Sequence, residues 1–196
     1  MIQNVCVYCG ASLGKNPAYQ MAAQALGQAF ANRKIGLVYG GGSSGLMGVI
    51  ANAVLENGGY AIGVIPEALA IREVHHKHLS ESYIVGTMHE RKAMMAERAD
   101  GFVTLPGGFG TYEEIFETIT WAQLGIHSKP IVIFNIEGYF DPFLQIAEHG
   151  VKEGFIRPID PDLVRVATRV EDVIPMLEAE TSEEHWRPKW LNINQI

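Results

Sequence analysis

Residues 35–48 read IGLVYGGGSSGLMG. Ile35 to Tyr39 form a run with no charged side chain, three consecutive glycines follow (Gly40, Gly41, Gly42), and Gly45-Leu46-Met47-Gly48 then opens a segment of helical periodicity that runs to Asn57. A strand apolar on both faces belongs inside a parallel sheet covered by helices, because an antiparallel sheet with one wet face alternates apolar and polar residues. The same succession recurs on either side. Asn4 to Cys9 leads into Gly10-Ala11-Ser12-Leu13-Gly14 and then a helical stretch, Pro17 to Asn32, with Tyr19, Ala22, Ala23, Leu26 and Phe30 on one face. Gly101 to Leu105 leads into Pro106-Gly107-Gly108-Phe109-Gly110-Thr111 and a helix expected over Thr111 to Leu124. Further strands are expected at Tyr60–Ile65 and Pro130–Asn135, further helices at His89–Ala99, Phe140–Glu153 and Glu171–Glu178, and a short apolar segment at Val164–Ala167. Strand and helix in alternation mean parallel strands joined by crossovers. The expectation is one domain over residues 1–180: a Rossmann-like α/β fold, a single doubly wound parallel sheet with helices on both faces. A polar tail, 181–196, carries Trp186 and Trp190 and is expected to dock on the body.

Composition sets limits on function. The chain has 196 residues, ample for one self-sufficient core, and 47% hydrophobic with 19% charged residues exclude a disordered polypeptide. The net charge is −7, and Lys and Arg never run longer than two. Nucleic acid and anionic membrane surfaces need a basic patch, so neither is expected as a partner, and an anionic ligand must be held by a focused local site. No apolar run approaches the ~18 residues of a membrane span, and the opening MIQNVCVYCG has no signal-peptide pattern, so a cytoplasmic protein is expected. Cys6 and Cys9 are spaced as C-x-x-C. Residues three apart on a strand face opposite sides, which predicts one core thiol and one near the strand end rather than a redox pair, and zinc would need two further ligands.

Three glycine-rich turns after three strands are the functional signal. In doubly wound sheets ligands bind at the carboxyl ends of strands, where small residues let backbone amides approach an anion and the next helix adds its dipole. Gly40, Gly42 and Gly45 also match G-x-G-x-x-G, with Glu67 placed to meet a ribose, so a nicotinamide-dependent oxidoreductase is one alternative. That motif sits after the second strand, however, and leaves the third turn unexplained. Thr111-x-x-Glu114 has two readings. It is a helix capping box, or it is a phosphate site in which Thr111 and free amides take the anion and Glu114 is aimed at the sugar. His75, His76 and His78 are expected as exposed loop histidines without a metal.

Met88-His89-Glu90-Arg91-Lys92, followed by Pro106-Gly107-Gly108-Phe109-Gly110-Thr111-Tyr112-Glu113-Glu114, resembles the LOG ("Lonely Guy") family of cytokinin riboside 5'-monophosphate phosphoribohydrolases, whose signature is P-G-G-x-G-T-x-x-E. Thr120-Trp121-Ala122-Gln123-Leu124-Gly125, the Gly40–Gly48 turn and Cys9-Gly10-Ala11-Ser12 are similar to the family as well, so the resemblance spans roughly Val5 to Val170. Ala11 stands where the family often has Ser. Family members have often been labelled lysine decarboxylases, yet no Lys here is placed to form a pyridoxal Schiff base.

The resemblance implies a reaction: hydrolysis of the N-glycosidic bond of cytokinin riboside 5'-monophosphates and AMP, releasing the base and ribose 5-phosphate, with no cofactor and no metal. It implies that Arg91 and Glu114 are catalytic. Substrate binding would fall to Ser12, Gly41, Gly42, Glu73, Arg91, Lys92, Gly107, Gly108, Phe109, Gly110, Thr111, Tyr112, Glu113 and Thr120. The small-molecule partner is then a purine nucleoside 5'-monophosphate. The family is built on dimers with sites near the interface, and Met94, Met95, Phe116 and Trp121 supply apolar surface beyond one buried stripe, so a homodimer is expected. Taken without the motif, Arg91, Lys92 and Glu73 read as ordinary surface charges. A non-catalytic carrier of a phosphorylated ligand is the other alternative.

Overall fold

A computed structural model of the protein describes residues 2–70, 75–156 and 164–180. Seven parallel strands form one sheet: β1 (Asn4–Tyr8), β2 (Gly36–Tyr39), β3 (Ala61–Pro66), β4 (Glu81–Val85), β5 (Gly101–Thr104), β6 (Ile131–Phe134) and β7 (Val164–Ala167). Their spatial order is β4-β3-β2-β1-β5-β6-β7. The helices are α1 (Pro17–Asn32), α2 (Gly45–Glu56), the short α3 (Glu67–Ala70), α4 (Met88–Arg98), α5 (Phe109–Gln123), α6 (Asp141–Lys152) and α7 (Val170–Glu178). The doubly wound parallel fold expected from the sequence is the one found.

β4 is the strand that a search for apolar runs passes over. Its sequence ESYIV lies at the sheet edge, and only Val85 is buried. An edge strand is half-wet, so its signal is alternation rather than continuous hydrophobicity.

The sheet divides the core into two layers. On one face Val5, Val7 and Cys9 pack with Leu26 and Phe30 of α1, Ile50 and Val54 of α2, and Val173 and Leu177 of α7. On the other, Cys6 and Tyr8 pack with Met95 of α4, Ile115 and Ile119 of α5, and Phe140 and Phe143. Cys6 and Cys9 therefore lie on opposite faces, both as free buried thiols. Burial raises both thiol pKa values far above their ordinary range, which keeps them protonated and unreactive.

The strand order also fixes where a ligand fits. From β1 the chain adds β2, β3 and β4 outward in one direction, then returns to place β5 on the other side of β1. The loops after β1 and β5 consequently leave the sheet toward opposite layers, and the crevice between them is the topological switch point. No helix among the described residues is long and apolar enough to cross a membrane. The tail 181–196, with Trp186 and Trp190, lies outside the described residues.

Candidate active site

A cleft of about 470 Å³ opens at that switch point. The β1 loop (Cys9 to Gly14), the β5 loop (Pro106, Gly107, Gly108), the start of α5 (Gly110, Thr111, Glu114) and Arg91 of α4 line it, together with Tyr19, Leu46, Met47 and Tyr139. The two loops are tied to each other: the Gly10 amide donates to the Pro106 carbonyl at 3.0 Å, and the Leu105 amide to the Tyr8 carbonyl at 2.9 Å.

The start of α5 rules out the capping-box reading of Thr111-x-x-Glu114. The helix begins at Phe109, with Gly108 as its cap residue and no side chain bonded to the cap position. Thr111 is thus the third residue inside the helix, and the capping box does not form. The local reason is that Gly108-Phe109-Gly110 enters helical geometry before Thr111 is reached. Thr111 instead turns inward beneath Gly107. A Cβ on Gly107 would stand 2.1 Å from Thr111 Oγ1, so only glycine lets the loop lie on the threonine. The first amides of α5 remain without a side-chain cap and face the cleft, which is the arrangement that binds an anion at a helix N-terminus.

Glu114 sits on the inner face of α5 and is only 8% exposed. Burial pushes its carboxyl pKa up from 4.5 to about 7, against the opposing pull of the Arg91 guanidinium. Arg91 is equally buried. Its Nη2 lies 3.5 Å from the Gly40 carbonyl, and its Nε has no hydrogen-bond partner among the described residues. Leaving such a donor unmade inside a protein is costly, and the residue that carries it lines the cleft. Gly40 makes its position possible, because a Cβ there would come within 1.9 Å of Arg91 Nη2. The glycine run after β2 thus makes room for Arg91, and Gly40, Gly41 and Gly42 are not among the residues that line the cleft.

Lys92 corrects the surface-charge reading in another way. It is 4% exposed, and Nζ is bonded to Glu113 and, at 3.0 Å, to Glu117, joining α4 to α5. Burial by itself would lower its pKa, but the two carboxylates outweigh burial and leave it raised. Arg91 and Lys92 are neighbours in sequence, yet one faces the cleft and the other is a buried clamp between helices.

The other expected site residues fall in several places. Ser12 lines the cleft with Gly107, Gly108, Gly110 and Thr111. Gly41 accepts a hydrogen bond from the His76 amide at 3.1 Å, and Gly42 bridges to His75, so this stretch of the turn is bound to the segment that follows α3. Phe109 is 91% exposed, and Thr120 is exposed with its hydroxyl bonded to the Phe116 carbonyl at 2.7 Å. The Tyr112 hydroxyl donates to that of Tyr139 at 3.1 Å. Glu73 lies outside the described residues.

Of the three histidines, His78 is exposed as expected, His75 is half-buried, and His76 needs correction. His76 is buried, not exposed, and its Nε2 shares a 2.9 Å hydrogen bond with Asn52 Oδ1 of α2. Among the described residues no three His, Cys, Asp or Glu side chains gather as a metal ion would require. Met95 is likewise core rather than surplus surface, at 1% exposure. Tyr19, Met47 and Tyr139 are cleft residues that sequence reasoning does not pick out. Tyr19 reads simply as part of a core face, Met47 lies within the Gly40–Gly48 turn without being singled out, and no local signal marks Tyr139.

The fold and this cleft define a Rossmann-like α/β protein with an uncapped helix N-terminus and a buried acid in one cleft. A family profile described as "Possible lysine decarboxylase" matches residues 47–177. The chain is 47% identical over 176 residues to the cytokinin riboside 5'-monophosphate phosphoribohydrolase LOG7 of Arabidopsis thaliana, covering 90% of this chain and 81% of that one. It is 43% identical over 199 residues to LOG1 of the same plant, covering 98% and 93%, and 48% identical over 176 residues to LOG of rice, Oryza sativa subsp. japonica, covering 90% and 73%. Among solved structures, a molybdenum cofactor carrier protein from Chlamydomonas reinhardtii shares the fold with a TM-score of 0.67 and 21% identity, covering 91% of this chain and 100% of that one. The chain belongs to the LOG family of cytokinin riboside 5'-monophosphate phosphoribohydrolases. The decarboxylase wording of the profile does not fit the cleft: such an enzyme carries pyridoxal phosphate on a lysine, no lysine lines the cleft among the described residues, and Lys92 is turned to Glu113 and Glu117.

Proposed function

We propose that this chain hydrolyses the N-glycosidic bond of cytokinin riboside 5'-monophosphates, and of AMP, releasing the free base and ribose 5-phosphate. The observation that carries the reading is the meeting, in one cleft, of an uncapped helix N-terminus with two buried opposite charges, Arg91 and Glu114. The 5'-phosphate is assigned to the first amides of α5 and to Thr111. Glu114, one turn further along the helix, is assigned to the sugar. Cleavage passes through an oxocarbenium-like state with positive charge at the anomeric carbon. A carboxylate in a dry site stabilises that charge and orients the attacking water, and such preorganised groups are often worth several kcal/mol. Arg91 is assigned to hold Glu114 ionised enough to act and to meet the ligand with its free donors.

The protein is assigned to the cytoplasm, where its two free thiols are at home. It is also assigned as a homodimer. The apolar side chains of Phe116 on α5 and of Leu124 and Ile126 just beyond it are 43–64% exposed, and Met88 at the start of α4 is 41% exposed. The deciding experiment is incubation of the purified protein with AMP and with isopentenyladenosine 5'-monophosphate, and chromatography for the free bases. Release of base from either supports the reading. Tight binding of both without release identifies a carrier instead.

A further inference from the structure

We infer that Tyr139 is a positioning residue of the phosphate site: its hydroxyl keeps the Gly107 carbonyl turned away from the anion. The inference rests on the assignment of the 5'-phosphate to the start of α5. A loop that binds an anion through its amides has a difficulty of its own, because every amide brings a carbonyl whose partial negative charge repels the ligand. Each carbonyl at this turn has a donor. Pro106 accepts from the Gly10 amide at 3.0 Å, and Gly108 accepts from the Tyr112 amide at 3.1 Å within α5. The Gly107 carbonyl, between them, is held by the Tyr139 hydroxyl, the one side-chain donor of the three.

Tyr139 comes from a different strand end and is held there firmly. After β6 the chain turns through Glu137 and Gly138, both in the left-handed region with φ of 52° and 70°. Asn135 locks this turn: its side chain donates to Asp141 Oδ1 and accepts from the Phe140 amide, each at 2.7 Å. The Tyr139 ring stands edge-on to Tyr19 at 5.6 Å and lies parallel to Tyr112 at 6.4 Å. Tyr112 donates to the Tyr139 hydroxyl, whose own proton is thereby left for Gly107. A donor that itself accepts a hydrogen bond is strengthened by it. The phenol stays protonated, because burial pushes its pKa up to about 12. The trans peptide plane points the Gly108 amide opposite to the Gly107 carbonyl. Fixing that carbonyl thus fixes the direction of a loop amide as well.

The test is Tyr139→Phe, which keeps the ring and removes the hydroxyl. Turnover of AMP is measured in the wild-type and variant proteins. Binding of AMP and of adenosine is measured by calorimetry, with and without Tyr139→Phe, in a Glu114→Gln background that blocks turnover. The expected result is a KM for AMP raised about five- to tenfold, the scale of one hydrogen bond, with kcat within about threefold, and adenosine affinity unchanged. Tyr112→Phe, which removes only the supporting donor, should shift AMP affinity in the same direction by less. Unchanged AMP affinity in Tyr139→Phe, or equal losses for AMP and adenosine, would overturn the inference. The binding comparison decides it even if the wild-type protein releases no base, so a failure of the proposed reaction is seen separately.

Discussion

Glu114→Gln separates the chemical role of this residue from any role in holding the helix. The wild-type carboxyl is buried, and burial raises its pKa from 4.5 to about 7. A group whose folded pKa is raised binds its proton more tightly in the folded state, so the fold loses stability as pH rises from 4.5 through 7. Above pH 7 the buried carboxylate costs about 3 kcal/mol relative to its neutral form, because each tenfold gain in proton affinity on folding is worth roughly 1.4 kcal/mol. Glutamine is the neutral isostere. The variant should therefore unfold several degrees higher than wild type at pH 8, and the gap should close as pH falls toward 4.5. Activity should move the opposite way. Loss of a preorganised charge in a dry site should lower kcat by about 10²- to 10³-fold. In the wild-type protein kcat/KM should climb with pH as Glu114 ionises, from about a tenth ionised at pH 6 to about nine tenths at pH 8. A bound phosphate dianion raises the carboxyl pKa further, so the inflection in kcat should lie at higher pH than that in kcat/KM. Thermal denaturation across pH and chromatographic assay of base release give both curves. A folded Glu114→Gln protein with wild-type turnover would refute the catalytic assignment. One that melts below wild type at pH 8 would refute the account of its burial.

Three further predictions test the surroundings. Gly40→Ala places a methyl group against the Arg91 guanidinium, which is the flexible end of its side chain; base release should fall at least tenfold while the melting temperature moves by no more than a few degrees, and unchanged activity would remove Arg91 from the chemistry. Thr111→Ala should weaken binding of AMP about tenfold and leave adenosine nearly untouched, as read by calorimetry in the Glu114→Gln background; equal losses would take the hydroxyl away from the phosphate. Multi-angle light scattering at low micromolar concentration should give twice the mass of one chain, and Phe116→Glu should lower it, whereas a wild-type protein already at the mass of one chain would refute the dimer.

Much of this molecule was legible in the sequence because its signals are local. Continuous apolar runs such as IGLVY and IVIFN point to buried parallel strands, and the glycine turns after β1 and β5 mark the strand ends that border the cleft. The opposite facing of Cys6 and Cys9 follows from strand pleating alone. The Pro106–Glu114 motif was readable for the same reason, since a turn and the first turns of its helix carry it within a few residues.

Tertiary structure decided what depends on the surroundings. Helical periodicity treats Arg91 and Lys92 as two solvated charges, and only packing shows one facing the cleft and the other clamped between helices by Glu113 and Glu117. Nothing around Tyr139 in the sequence announces that it will reach Gly107, because that contact exists only once β5 and β6 lie side by side. Glu114 is the sharpest case. Its identity and motif are written in the chain, but its acidity is set by the loss of water around it, and the water is displaced by residues from β1, α4 and the β5 loop that meet only in the folded protein.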